Sequence, residues 1–559
     1  MITIYMKKIL LTLQFAFFYS FLLQAQVYKI TYQSYRDGNI GSQDPIVVIA
    51  DHEKSIISRK SILEGTAIPT YEETFIHYKE SSILRRSTLK DRNKISTFET
   101  ANFNRYEYDK SNDTKTILNY KVNKAKTSIN SNNIELWYAD DLGINVSPTE
   151  VGLPLGLVLE YSRNGNSGLI ATHIEKLNDW PVEFQFTKNS KNIDVLTYRD
   201  LLWKDKFIHI PIFKNERIRF EPGIKSDSVL RFAEGTVILK KIKVPEIQND
   251  GQAFIQLIEK SSGDAYDRTG SVFLIGDDQK LSMLSGMQDG MKSLPKYDIG
   301  DGKEYLGMHR TSIYSPVYEL MRFFTPFGVS HFNNRLQLKD KHWQDSVIYR
   351  QDISEFINVI SGKEVYIGTY IGNYDKGGHT VNLELTIHPG DSNYAKKTST
   401  LSLFNTTNIM EMGGQTYATL FGNDKGLEFE FKLDKDLKNV RLRYITTGHG
   451  GWWNGDEFVP KRNSIYIDDK LVHSFVPWRV DCGSYRLYNP VSGNFESGLS
   501  SSDLSRSNWC PGTITYPNYI DLGDMKAGKH KIKIHIPQGA PEGDSFSFWN
   551  VSGALLYDE

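Results

Sequence analysis

The sequence predicts an all-β protein, with two tandem antiparallel β-sandwiches or jelly rolls behind a β-rich accessory domain. Aromatic residues make up 12% of the 559 residues, with 31 Tyr and 43 Gly, which suits pleated strands and tight turns better than helices. Apolar and polar residues alternate in many short runs, the pattern of strands with one buried and one wet face. These runs recur at regular spacing between turn residues, as in sandwiches and barrels.

The chain opens with Lys7 and Lys8 ahead of an apolar run from Ile9 to Leu23, followed by the small residue Ala25. That order reads as a secretory signal peptide over residues 1–25, leaving Gln26 as the first mature residue. The run is short for a bilayer and Gln14 interrupts it, so no membrane insertion is expected after cleavage. The mature chain is expected in the periplasm or outside the cell.

Residues 26–206 read as the accessory domain, with strand-like runs at 27–32 and 46–49 broken by Asp37-Gly38 and Ser111-Asn112-Asp113. Within it GLPLGLVLEY, from Gly152 to Tyr161, reads as a buried turn and strand. From Phe207 the alternation becomes cleaner and ends in Val381, Leu383, Leu385 and Ile387, which makes 207–388 one sandwich. The stretch between Asp277 and Glu319 is rich in Gly and Met and is expected to be a long, partly helical loop, with a gating role or none. His388-Pro389-Gly390-Asp391-Ser392-Asn393 reads as a linker, since Pro and Gly stop a ladder. The second sandwich, 389–559, alternates at Leu427, Phe429, Phe431 and Leu433, and its hairpin turns over Asp468-Asp469-Lys470. Paired units of similar size place a ligand site at their junction.

Lys and Arg number 66 against 67 Asp and Glu, with no basic run. Nucleic-acid and anionic-membrane partners are thereby disfavoured, and the balance points to a neutral ligand. Cys482 and Cys510 are the only cysteines. In an exported chain they are expected to be bonded, which stabilises by about 3 to 4 kcal/mol for a loop of that size.

Three stretches carry candidate chemistry. GHGGWWNGDEF sets Trp452, Trp453 and the acids Asp456 and Glu457 among glycines, where rings can stack on sugars and a carboxylate can move a proton; plugging the core is the bland alternative. In SSGDAYDRTGSVFLI, Asp264, Tyr266, Asp267 and Arg268 sit at the mouth of a strong strand, either as turn chemistry with a surface ion pair or as an active carboxylate. In SRSNWCPG, Arg506 can pack its stem on Trp509 or donate a bidentate fork to an oxygen-rich ligand.

In this order GDAYDRTGSVFLI, MRFFTPFGV, DISEFINVISGKEVYIG, GHGGWWNGDEF and SRSNWCPG resemble the peptide N-glycosidase F family, bacterial amidases that remove whole N-linked glycans from asparagine. The resemblance covers about residues 207–559. It implies two eight-stranded antiparallel jelly rolls side by side, a site in the cleft between them, no metal, no covalent cofactor, and a monomer acting on N-glycosylated proteins or glycopeptides. Carried over, Asp267 matches the principal catalytic aspartate and Glu457 its partnering glutamate, with Arg268 and Arg506 lining the site. Tyr266 and Phe458 stand where the family has tryptophans, and with Phe324, Trp452, Trp453 and Trp509 they complete the expected substrate-binding set. The family's third acid has no clean match, Asp375 being nearest, and Gly263, Gly455 and Val459 stand where cysteines of two small disulfides would be.

Three other functions compete. A two-carboxylate glycosidase would use the same acids to cut between sugars. A glycan-binding protein would use only the rings, and retention of both acids argues against it. A copper monooxygenase needs clustered His and Met, whereas the 13 histidines are scattered and His449 has no partner at ligand spacing.

Overall fold

A computed structural model describes residues 26–558 except 42, 182–190, 224, 227, 249, 329–338, 389, 391–397, 452–453 and 491–499. The expected signal peptide, most of the expected linker, and Trp452 and Trp453 therefore lie outside the described residues. The chain is all-β and divides into two compact units, Met1–Lys206 and Phe207–Glu559.

The first unit is built on one thirteen-stranded sheet. Val27–Arg36 lies at its middle, pairing antiparallel with Ser167–Leu177 on one side and Ile46–Ala50 on the other. Alternate residues of Ile46–Ala50 enter different clusters, Val48 and Ala50 in one and Val47 and Ile49 in another, so both faces of this strand are buried. The GLPL segment is a 3-10 turn, Leu153–Leu155, running into the strand Leu157–Arg163. Gly156 there has φ of 115°, and a Cβ would stand 2.4 Å from the Ala139 carbonyl oxygen, so only glycine fits.

The second unit holds two sandwiches. In the first, a sheet ordered Ile208–Ile218, His379–His388, Gln252–Ser261, Ser346–Asp352 faces a six-stranded one. That second sheet runs Leu230–Phe232, Val237–Lys243, Glu364–Ile371, Thr269–Leu274, Tyr318–Phe324, Ile514–Thr515. Ile255, Leu257, Leu383 and Leu385 meet Val272, Leu320 and Ile367 between them. The second sandwich pairs two four-stranded sheets around Leu427, Phe429, Phe431, Leu442, Ile534 and Trp549. Among the described residues it has the implied eight strands; the first departs from that number because Leu230–Phe232 adds an edge and Ile514–Thr515, from the later part of the chain, closes the other. The hairpin Asn463–Ile467 to Lys470–Phe475 turns through Asp468 and Asp469, both at positive φ, as a two-residue turn between twisted strands requires.

The stretch between Asp277 and Glu319 is a long, partly helical connection, as expected, and it packs against both sandwiches. A helix, Met283–Asp289, starts at a capping box between Ser282 and Ser285. Met283, Met287 and Met291 join a cluster with Phe273, Ile409 and Met410, while Tyr297, Tyr305 and Met308 enter the core of the second sandwich. Unbranched methionines fill the irregular space that two curved sandwiches leave, which accounts for a composition that reads as a loop.

Arg322 ties the sandwiches together. Its guanidinium donates to Glu319 at 2.9 and 2.7 Å, to Thr407 Oγ1 at 2.8 Å, to Thr447 Oγ1 at 3.1 Å and to the Asn550 carbonyl at 2.6 Å. Arg322 and Glu319 are fully buried, so removing either partner should cost about 3–5 kcal/mol.

Candidate active site

Three loops meet at the junction of the two sandwiches. The first links Gln252–Ser261 to Thr269–Leu274. Asp264 organises it, accepting from the Tyr266 amide at 3.1 Å and from Arg268 Nε and Nη2 at 2.8 and 3.0 Å. Thr325 clips the other side: its Oγ1 accepts from the Arg268 amide at 2.8 Å, and its own amide donates to the Arg268 carbonyl at 2.9 Å. Asp267, between these fixed points, is left to turn its carboxylate toward the second sandwich.

The second loop follows the strand Leu437–Gly450. Gly450 and Gly451 have positive φ, and a Cβ on Gly455 would lie 2.2 Å from the Gly450 carbonyl oxygen, so the loop closes only because these are glycines. The acid pair then divides. Asp456 is buried and anchors the loop, accepting from Trp549 Nε1 at 2.7 Å and from the Gly539 amide at 3.0 Å. Glu457 faces Arg506.

The third loop brings Arg506. The Arg506 and Arg479 amides donate to each other's carbonyls at 3.0 and 2.9 Å, and Cys482 and Cys510 are bonded beside them. Nη2 donates to the Ser501 carbonyl at 2.6 Å, and the guanidinium lies over the rings of Trp509 and Phe458, 4.3 and 5.1 Å from their centroids. Nη1 touches Glu457 Oε1 and stands 3.2 Å from Asp267 Oδ2. One nitrogen thus bridges the two carboxylates. Among the described residues Asp267 Oδ2 accepts no aligned hydrogen bond.

Burial raises both acids above their ordinary values. For Asp267 desolvation outweighs Arg506 and Arg268; for Glu457 it outweighs Arg506, the Asp267 charge adds to it, and the group is pushed up to about 7. Two carboxyls sharing one arginine in a nearly dry site titrate as a pair.

Of the residues nominated by sequence, Asp267, Glu457 and Arg506 converge, and Tyr266 is 57% exposed with its ring beside the Arg268 guanidinium. Arg268 lines the site while its fork is paired with Asp264, the buried carboxylate four residues before it. Two expectations need correction. Trp509 and Phe324 are 4% and 0% exposed and stack on each other at 4.3 Å, so neither offers a face to a sugar. They form the wall behind Arg506, with the Trp509 Nε1 hydrogen given to the Gly448 carbonyl at 3.0 Å.

His449 is buried against Phe324, Trp509 and Phe548 and bonded to Thr447 at 2.8 Å; burial keeps its ring neutral. Asp375 accepts from the Gly377 amide, which is turn chemistry. An acid that sequence reasoning missed is Glu411, which accepts hydrogen bonds from the hydroxyls of Tyr370, Tyr374 and Tyr417. Burial raises it, Arg268 opposes the rise, and the Tyr374 ring centroid is 5.4 Å from the Arg268 guanidinium, so Glu411 belongs to the same site. No motif flags it, since its partners come from two separate segments.

Family models match almost the whole chain. Residues 209–387 match "Peptide-N-glycosidase F, N terminal", 416–556 match "Peptide-N-glycosidase F, C terminal", and 30–200 match "N-glycanase peptide, N-terminal domain". Among solved structures, PNGF-II in a C2 crystal form is 52% identical, over 96% of this chain and 98% of that one, with a TM-score of 0.82. PNGF-II in a P21 form is also 52% identical, over 95% and 99%, with a TM-score of 0.85. Among curated proteins no sequence matches.

Proposed function

The chain belongs to the peptide-N-glycosidase F family, and on that premise we propose that it hydrolyses the amide between asparagine and the first N-acetylglucosamine of N-linked glycans. The observation that carries this reading is the single nitrogen of Arg506 lying against both Asp267 and Glu457. Hydrolysing a secondary amide requires water to lose a proton as it attacks the carbonyl carbon and the leaving nitrogen to gain one. Asp267, whose side chain is 15% exposed and whose buried Oδ2 accepts no aligned hydrogen bond among the described residues, takes the first role. Glu457, titrating near 7, holds or relays a proton at working pH and helps grip the water or the sugar's acetamido group. Arg506 keeps two like charges compatible at close range. Glu411, raised by burial, and the tyrosine hydroxyls that bond to it form a polar wall beside Arg268 for the first sugar. Tyr266 and Phe458 are the described rings that fit the sugar's apolar face, with Trp452 and Trp453 as further candidates.

The products are a free glycan amine and an aspartate where asparagine stood. Incubating the mature protein with a denatured glycoprotein in heavy-oxygen water should place the label in that aspartate. A sugar left on the peptide would instead identify a two-carboxylate glycosidase, and an unchanged glycoprotein a binding protein.

We further propose that residues 26–206 are an accessory domain, that 207–388 and 389–559 carry the chemistry as a monomer, and that residues 1–25 direct export. The disulfide supports export, and no helix among the described residues is long and apolar enough to cross a membrane. N-terminal sequencing of the secreted form should begin at Gln26.

A further inference from the structure

Behind the Asp267 loop lies a row of buried charges that the proposed reaction does not use. His379 opens the strand His379–His388 opposite Ser261, at the end of Gln252–Ser261. Its Nδ1 is 2.7 Å from Glu259 Oε1 and its Nε2 is 3.4 Å from Asp264 Oδ2. The ring and Glu259 are fully buried, and Asp264 is 1% exposed. A neutral imidazole has one donor and one acceptor nitrogen, so a neutral His379 would aim a lone pair at one of these carboxylates. Only an imidazolium carries a hydrogen on both nitrogens; among the described residues Nε2 makes no aligned hydrogen bond, so its contact with Asp264 is an ion pair at 3.4 Å.

The charges then alternate from Glu259 through His379 and Asp264 to Arg268, and sum to zero. Without a cation at His379, Glu259 would be buried unpaired, at a penalty large enough to displace the strand ends that carry it. Burial alone would lower the ring's pKa, but the two carboxylates overcome it and lift the ring to about 9. Tyr349, which feels the Glu259 charge, gives its hydroxyl hydrogen to the Phe324 carbonyl at 2.8 Å and so does not compete for the ring.

Asp264 is the anchor of the catalytic loop, and its orientation is set by what lies behind it. Taking the amidase reading as its basis, we propose that His379 is a positioning residue, a buried imidazolium that locks Asp264 and, through it, the Arg268 fork and the turn presenting Asp267. A slack Asp264 frees the Tyr266 amide and the Arg268 side chain together, and a displacement of about 1 Å at the reacting group can cost about 100-fold in rate.

The test has two arms on the whole mature protein. Nitrogen-edited NMR of histidine-labelled protein at pH 7 should show two ring N–H groups on His379; a neutral ring overturns the proposal, whether or not any variant folds. In kinetics on a glycopeptide, His379→Gln should lower kcat by about 100-fold with KM little changed. The double variant Glu259→Gln with His379→Gln relieves the unpaired charge of Glu259 but still lacks the imidazolium behind Asp264, so it should recover thermal stability without recovering kcat. A double variant that regains near-normal kcat, or a His379→Gln enzyme with unchanged kcat, would show that the imidazolium does no positioning. Absence of turnover in the unmodified protein would defeat the amidase reading while leaving the ring measurement intact.

Discussion

Asp267 and Glu457, supplied by different sandwiches, meet at one atom, Nη1 of Arg506. Neither loop could place the two acids alone. Arg506 is 1% exposed and held from behind by Ser501, Trp509 and Phe458, so the meeting point is preset rather than assembled by the ligand.

Asp267→Asn keeps the shape of the side chain and removes its ability to take a proton. Turnover of a glycopeptide should fall by about 100-fold to 10,000-fold. The melting temperature should hold, because burial already disfavours the charge that the substitution deletes. Near-normal kcat would remove Asp267 from the chemical step.

Glu457→Gln should reduce turnover less than Asp267→Asn and should also alter stability against pH. A carboxyl raised from 4.5 to about 7 binds its proton more tightly in the folded state. Its contribution is therefore complete below the unfolded value and is lost as pH climbs through the folded one. Unfolding free energy of the unmodified protein should carry a downward slope between those values that is flatter in Glu457→Gln, as denaturant titrations at several pH values would reveal.

Arg506→Lys preserves charge but not the planar fork that reaches Glu457, Asp267 and the Ser501 carbonyl together. Losing one charge-assisted hydrogen bond of that set costs about 1.5–3 kcal/mol, so kcat/KM should fall by about 10-fold or more. Equal kcat/KM in the two enzymes would mean that a point charge is enough.

Removing the Cys482–Cys510 bond should destabilise by about 3 to 4 kcal/mol. The bond sits beside the Arg479–Arg506 backbone pair, so activity should fall at temperatures where the fold still survives. Comparing thermal melts and turnover with and without reductant checks both effects. Coincident loss of the two would make the bond's role purely global.

A chain beginning at Phe207 should fold and retain turnover on small glycopeptides, because each residue assigned a chemical role comes from the second unit. Circular dichroism and the same product assay test this. A folded but inactive truncation would bring residues 26–206 into the active site.

Much of this protein was legible in one dimension because burial along a strand has period two. Val381, Leu383, Leu385 and Ile387 announce their strand, and Leu427, Phe429, Phe431 and Leu433 another, from neighbours that need no knowledge of the rest of the chain. Asp267, Glu457 and Arg506 could be nominated from sequence because each sits in a short run that resembles a family motif, while the residues by themselves left turn chemistry and packing open as alternatives. The tertiary structure alone decided which charges pair. Arg268 turns to Asp264, Asp456 turns inward while Glu457 turns out, and Trp509 is a wall rather than a platform. Glu411 and His379 gain their meaning from Tyr370, Tyr374, Tyr417, Glu259 and Asp264, which strand register and the packing of two sheets bring within hydrogen-bond or ion-pair range. Local sequence sets which face of a strand is wet. The partner across a sheet or a junction is set by the whole chain, because a one-residue slip in register would exchange every contact.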